Sequence, residues 1–169
     1  MRCNGAMNLL PTVAALLLTT LTACSSLGPG LGGRGGPAST GTRAALEAEQ
    51  ERLADLFRGT PVVFAMQADG SLRVAVPLHY SFDPGRHAVK PPLAAVLDRV
   101  ARSQRKEPTR FTVSAPADPN GRGLNLATDR ASSTRDYLVG RGIEPTRFSI
   151  AAVQRGDTVE IVVAEDAPH

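Results

Sequence analysis

Three histidines, two cysteines, two adjacent serines and sixteen acids are the residues of this chain that could do chemistry. None falls into a catalytic or metal-binding pattern. His79, His87 and His169 are scattered, without the spacing that brings two ligands to one metal. Cys3 and Cys24 are too few for a multi-disulfide scaffold or a four-thiolate zinc site. Ser132 and Ser133 could join His79 or His87 in a hydrolase triad, but no G-x-S-x-G elbow surrounds them. Asp83 with Asp98, or Asp129 with Asp136, could be paired carboxylates; on helices and loops such acids are usually solvated. Arg155-Gly156-Asp157 spells an adhesion tripeptide, yet it lies between two strand-like segments where a turn is expected. Arg102, Arg105 and Lys106 form a basic cluster of the kind found at an exposed helix end. The expectation is a protein that is not an enzyme and needs no cofactor and no metal. The 169 residues are 42% hydrophobic, too apolar for a chain disordered throughout. A net charge of +3, with basic residues spread along the chain beside the acids, argues for no nucleic-acid partner.

The elements that would position any site begin with an address. Arg2 precedes an apolar run from Leu9 to Leu21, about 13 residues, too short for the roughly 20 that span a bilayer. Residues 1–23 therefore read as a signal peptide and are set apart from the fold. Met7 is an alternative start that leaves this unchanged. The run ends Leu21-Thr22-Ala23-Cys24-Ser25-Ser26, which resembles the lipobox of bacterial lipoproteins. That resemblance implies acylation of Cys24, palmitate included, as the first mature residue. Ser25, in place of Asp, implies sorting to the outer membrane of a Gram-negative cell, with the domain facing the periplasm. Cys3 leaves with the leader, so no intramolecular disulfide is possible in the mature chain.

Residues 24–41 are rich in Gly, Pro and Ser and read as a flexible tether. Residues 42–59 form one expected helix, Thr42 to Arg58 with Gly59 as the stop, and Leu46, Leu53, Leu56 and Phe57 on one side. It either packs on the domain or meets a partner. Residues 60–169 make the folded domain. Pro61–Gln67 and Leu72–Leu78 flank Ala68-Asp69-Gly70-Ser71, a hairpin signal. Leu72, Val74, Val76 and Leu78 alternate with Arg73, Ala75 and Pro77, so one face of this strand is buried. Pro77 marks an edge or the end of regular pairing.

Pro91 and Pro92 open a helix whose Leu93, Val96, Leu97 and Val100 make the stripe of a helix lying on a sheet. Arg110–Ser114 reads as a strand with Phe111 and Val113 on one side. A helix from about Leu126 to Val139 ends at Gly140-Arg141-Gly142. Phe148–Val153 and Thr158–Val163 are two more strands. The order β-β-α-β-α-β-β gives an α/β (α+β) two-layer sandwich, a mixed sheet with two helices on one face.

Certain residues go further than architecture. Tyr80-Ser81-Phe82-Asp83-Pro84-Gly85 and Val89-Lys90-Pro91 precede the Leu93–Val100 helix. Leu126-Ala127-Thr128-Asp129-Arg130-Ala131 is followed by Tyr137-Leu138 and by Gly142-Ile143-Glu144-Pro145-Thr146-Arg147-Phe148. In these residues and their order, from about Leu72 to Val153, the chain resembles the OmpA-like (OmpA C-terminal, peptidoglycan-associated) domain family. The last two groups look like the family's L-S-x-x-R-A and Y-L-x-x-x-G-I-x-x-x-R-I segments.

The resemblance implies noncovalent binding of peptidoglycan through the diaminopimelate of its stem peptide. It carries the family's recognition Asp and Arg onto Asp118 and Arg130, with Asn125 as the substitute for an Asn before the L-S pair. A carboxylate suits the ammonium of diaminopimelate, and a guanidinium can grip its carboxylate in two places. Three departures stand out. Ala115-Pro116-Ala117-Asp118 replaces a G-H/Y-T-D loop. Asp118 and Arg130 are 12 positions apart, about three fewer than the family pattern. The Gly-rich tail after the last core strand is absent.

Two expectations follow. One is an outer-membrane lipoprotein that links membrane lipid, through acylated Cys24, to peptidoglycan. The other is a degenerate OmpA-like scaffold or assembly module of an envelope complex or secretion machine, whose partners are envelope proteins. In the second, Asp118 and Arg130 only pair with each other across the loop or are both solvated, and an exposed pair contributes less than about 1 kcal/mol.

Overall fold

The computed structural model describes residues 40–118, 124–151 and 156–166. The leader, Cys24, nearly all of the tether, and Gln154-Arg155 lie outside the described residues. No helix among those described is long and apolar enough to cross a membrane. The elements in order are α1 (Thr40–Leu56), β1 (Val63–Met66), β2 (Leu72–Pro77), α2 (Leu78–Ser81), α3 (Pro91–Gln104), β3 (Thr109–Ser114), α4 (Leu124–Gly140), a 3₁₀ turn (Pro145–Arg147), β4 (Phe148–Ile150) and β5 (Thr158–Glu165). The strands form one sheet in the order β1-β2-β5-β3-β4. All pairings are antiparallel except β3 with β4, so the sheet is mixed, as expected.

The last strand in the chain lies in the middle of the sheet. β5 pairs Val74 with Ile161 on one side and Val113 with Ile161 on the other. Its neighbour in sequence, β4, is an outer strand beside β3. β4 is also shorter than expected, ending at Ile150 rather than Val153. Register puts Phe64, Val74, Ile161 and Val113 on one face, and Leu72, Val163 and Phe111 on the same face two residues along. That face meets the α3 stripe, where Leu93, Val96, Leu97 and Val100 are all buried. Burying each such side chain stabilises the fold by roughly 1.5–3 kcal/mol.

Local chemistry explains the boundaries. In the β1–β2 turn, Asp69 Oδ1 accepts the Ser71 backbone N–H at 2.9 Å and its hydroxyl at 2.6 Å, which holds the Asp69 carboxyl below its ordinary pKa. Gly70 supplies the left-handed conformation there (φ 84°). Pro77 closes β2, beyond the point where β1 pairs with it. Leu78, expected as the last inward residue of β2, instead begins α2. Its N–H donates to Asp157 O at 2.7 Å, while Ser81 Oγ returns to Pro77 O at 3.0 Å.

At the end of α4, Ile143 N–H reaches Leu138 O and Gly142 N–H reaches Val139 O around Gly142 at φ 91°. This is a Schellman C-cap, with Leu138 and Ile143 both buried as its apolar contact. α1 starts and stops two residues before its expected limits and packs on the domain. Gln50 Nε2 donates to Phe64 O at 3.0 Å, the Phe57 and Phe64 rings lie 5.5 Å apart, and Leu46 and Leu53 join the common core. Leu56, expected on that buried side, is half exposed, because the inward row runs Leu46, Leu53, Phe57.

Candidate functional site

α4 begins two residues earlier than expected, which places Arg130 on its second turn, facing the loop after α2. The Arg130 side chain is 1% exposed. Four of its five N–H groups are engaged by the protein. Nε donates to Arg86 O (3.0 Å) and Nη1 to Pro116 O (3.0 Å); Nη2 donates to Asp83 O (3.3 Å) and Asp118 Oδ1 (2.6 Å). The guanidinium also lies 5.5 Å from the centre of the Phe82 ring. Asp118 completes the arrangement by accepting Gly85 N–H on Oδ2 at 2.8 Å. Arg130 beside it holds the Asp118 carboxyl below the usual carboxylate range. Two segments far apart in sequence, 82–86 and 116–118, are thus fastened to α4 by one side chain.

Asp118 and Arg130 also line an open cavity of about 660 Å³, shared with Leu78, His79, Phe82, Pro84, Lys90 and Asp157. The two residues thus pair with each other, as the scaffold reading expects, and still face one cavity. The pair is not the exposed one considered under that reading. Its guanidinium is buried and its carboxylate side chain is 21% exposed. Asn125 is exposed on the first turn of α4 and is not among the described residues lining the cavity.

The cavity has residues that pattern alone missed as site members. Lys90, the N-cap residue of α3, donates from Nζ to His79 O at 2.9 Å and pairs with Asp83 Oδ1 at 3.0 Å. Its side chain remains 32% exposed. Asp157 belongs to the adhesion-like tripeptide but sits beside α2, where its carbonyl accepts Leu78 N–H. Nothing in the local sequence marks Asp157; only the central placement of β5 brings it to α2.

The other candidates are dispersed. Asp98 accepts the Tyr137 hydroxyl at 2.9 Å and pairs with Arg141 at 2.9 Å, while Asp136 pairs with Arg135. His87 Nδ1 and Ser133 Oγ lie 3.1 Å apart, exposed and outside the cavity lining. Arg102 and Arg105 border a small surface cavity with Asp98 and Arg141. Among the described residues no three His, Cys, Asp or Glu side chains gather as a metal site.

No protein-family model and no curated protein sequence matches the chain. Solved structures do. The cell wall anchor of the T6SS from Pseudomonas aeruginosa superposes with a TM-score of 0.59 at 19% identity, over 68% of this chain and 95% of that one. A MotB-like protein from Desulfovibrio vulgaris gives 0.57 at 16% identity, over 74% and 95%. The periplasmic domain of Helicobacter pylori MotB gives 0.54 at 18% identity, over 65% and 83%. The domain has the OmpA-like fold. At these identities the likeness is one of fold. Within this fold the described sheet, α3 and α4 are the frame, and the cavity lies where the β2–α2 junction, the 82–90 segment and α4 meet.

Proposed function

We propose that this OmpA-like domain binds peptidoglycan noncovalently, taking the free end of diaminopimelate from a stem peptide into the cavity beside Asp118. The observation that carries the reading is one cavity offering an apolar wall and charges of both signs: Leu78, Phe82 and Pro84 with Asp118, Asp157 and Lys90. Diaminopimelate presents methylenes that suit that wall and ends in an ammonium and a carboxylate on one carbon. Asp118, kept ionised by Arg130, takes the ammonium. Arg130 holds Asp118 and both loops in place, and Asn125 stands at the start of the same helix. The fold is shared with a T6SS cell wall anchor, which supports the assignment. On this reading Cys24 carries the acyl anchor, residues 24–41 are the tether, and the protein is an outer-membrane lipoprotein with its domain in the periplasm.

Residues 24–169 carrying Cys24→Ser, which keeps the chain in solution, are expected to pellet with diaminopimelate-type sacculi. Asp118→Asn is expected to leave the protein in the supernatant. Failure of the unsubstituted domain to pellet removes the reading. One observation favours a second role, as an assembly module of an envelope machine: Arg130 has only one N–H left for a ligand. Crosslinking in cells that captures envelope proteins, combined with no pelleting, would select that role.

A further inference from the structure

We infer that Lys90, rather than Arg130, holds the carboxylate of the bound zwitterion and so sets selectivity for a free diaminopimelate carboxylate; this rests on the peptidoglycan reading above. Two cations line the cavity together with Asp118, and they differ in what a ligand can reach. Arg130 is 1% exposed, with four N–H groups on protein acceptors. Presenting it bidentately to a carboxylate requires breaking at least one of these bonds, to Asp118 or to a carbonyl, because only one N–H is left. Each such group left buried without a partner costs about 1–3 kcal/mol.

Lys90 requires no such opening. Its side chain is 32% exposed; of its three N–H groups one donates to His79 O, and the ammonium pairs with Asp83 Oδ1. Both anchors come from the segment that forms the cavity wall, so the stem is held against it rather than swinging free. Asp83 balances part of the Lys90 charge, and a ligand carboxylate would share the ammonium with it. Because an ammonium is a compact point charge, it can serve two oxygens at once without the planar geometry a guanidinium demands. The ammonium of the same ligand carbon then falls to Asp118, which lines the same cavity.

The test is a cycle between side chain and ligand, using soluble muropeptides and calorimetric titration of residues 24–169 carrying Cys24→Ser. One muropeptide has free diaminopimelate; the other has that same carboxylate amidated. The unsubstituted domain is expected to prefer the free acid by roughly 10- to 30-fold, the scale of one charged hydrogen bond. Lys90→Gln is expected to bind both muropeptides equally, at the level of the amidated one. Lys90→Arg, which keeps the charge, should retain most of the preference and controls for loss of fold. A preference that survives in Lys90→Gln, or no preference in the unsubstituted domain that binds both, overturns the assignment to Lys90 while leaving peptidoglycan binding intact. If neither muropeptide nor sacculi bind, the underlying reading falls and the inference with it.

Discussion

Arg130 and Arg147 do the same mechanical work in different company. Each lays its guanidinium near an aromatic ring, Arg130 on Phe82 at 5.5 Å and Arg147 on Phe111 at 5.2 Å. Each fastens segments distant in sequence through backbone carbonyls. Arg147 donates to Thr109 O at 2.6 Å, Gln104 O at 3.0 Å and Arg105 O at 3.4 Å, and also to the Thr109 hydroxyl at 2.6 Å. Those acceptors are neutral, and burial lowers the Arg147 pKa. Arg130 has a carboxylate partner and a cavity at its side. What separates the candidate site from a staple here is the neighbouring Asp118, Lys90 and open volume, not the arginine.

That contrast breaks first under truncation of the two arginines. Arg130→Met leaves three carbonyls and a carboxylate without their donor, and it should lower folding stability by about 3 kcal/mol and abolish pelleting with sacculi. Arg147→Met should lower stability by about 2 kcal/mol, since only neutral groups lose a partner, and leave pelleting of the folded fraction unchanged. Urea denaturation with cosedimentation reads both; loss of pelleting in folded Arg147→Met would erase the distinction.

Asp118→Asn sharpens it with a smaller effect on folding, about 1 kcal/mol at neutral pH, but more than tenfold on binding. Its pH dependence has a definite sign. The folded-state pKa of Asp118 is lowered. Its stabilisation is therefore fully present above the unfolded value of about 3.9 and is lost as pH falls through the lowered folded value. Denaturation followed from pH 5 to pH 2 should show a shallower decline in the Asn variant. An unchanged decline would mean the ion pair contributes nothing in solution. Asp69 titrates in the same direction but away from the cavity, so Asp69→Asn should flatten the decline without touching binding.

The smallest effect belongs to Gly142, at the Arg147 end of α4. An added Cβ meets Arg105 Cδ at 3.0 Å on a backbone with φ 91°. Gly142→Ala should cost about 1 kcal/mol with no change in pelleting. A thermal melt suffices to check it.

Much of the frame was legible because it is written locally. The α3 stripe, the Asp69-Gly70 turn, Pro77 as the end of β2 and Gly142 beyond α4 are each dictated by periodicity or by one residue's backbone limits. The candidate site was legible only in part. Asp118 and Arg130 could be named through the resemblance and their pairing stood as an alternative, but the burial of Arg130 and its carbonyl partners could not be read. Those partners are the carbonyls of Asp83, Arg86 and Pro116, supplied by backbone that any sequence would offer. Lys90 was visible only as part of a resemblance, and Asp157 only as a turn.

The amino-acid sequence by itself determined which faces are apolar and where elements stop. Those properties reside in side-chain type and in spacings of two to four residues. The tertiary structure alone decided that β5 runs through the centre of the sheet, that Asp157 and Lys90 reach the cavity of Asp118, and that Arg130 is engaged by the protein. Such facts depend on contacts between segments tens of residues apart, where many pairings satisfy the same local pattern and only the packed core selects one.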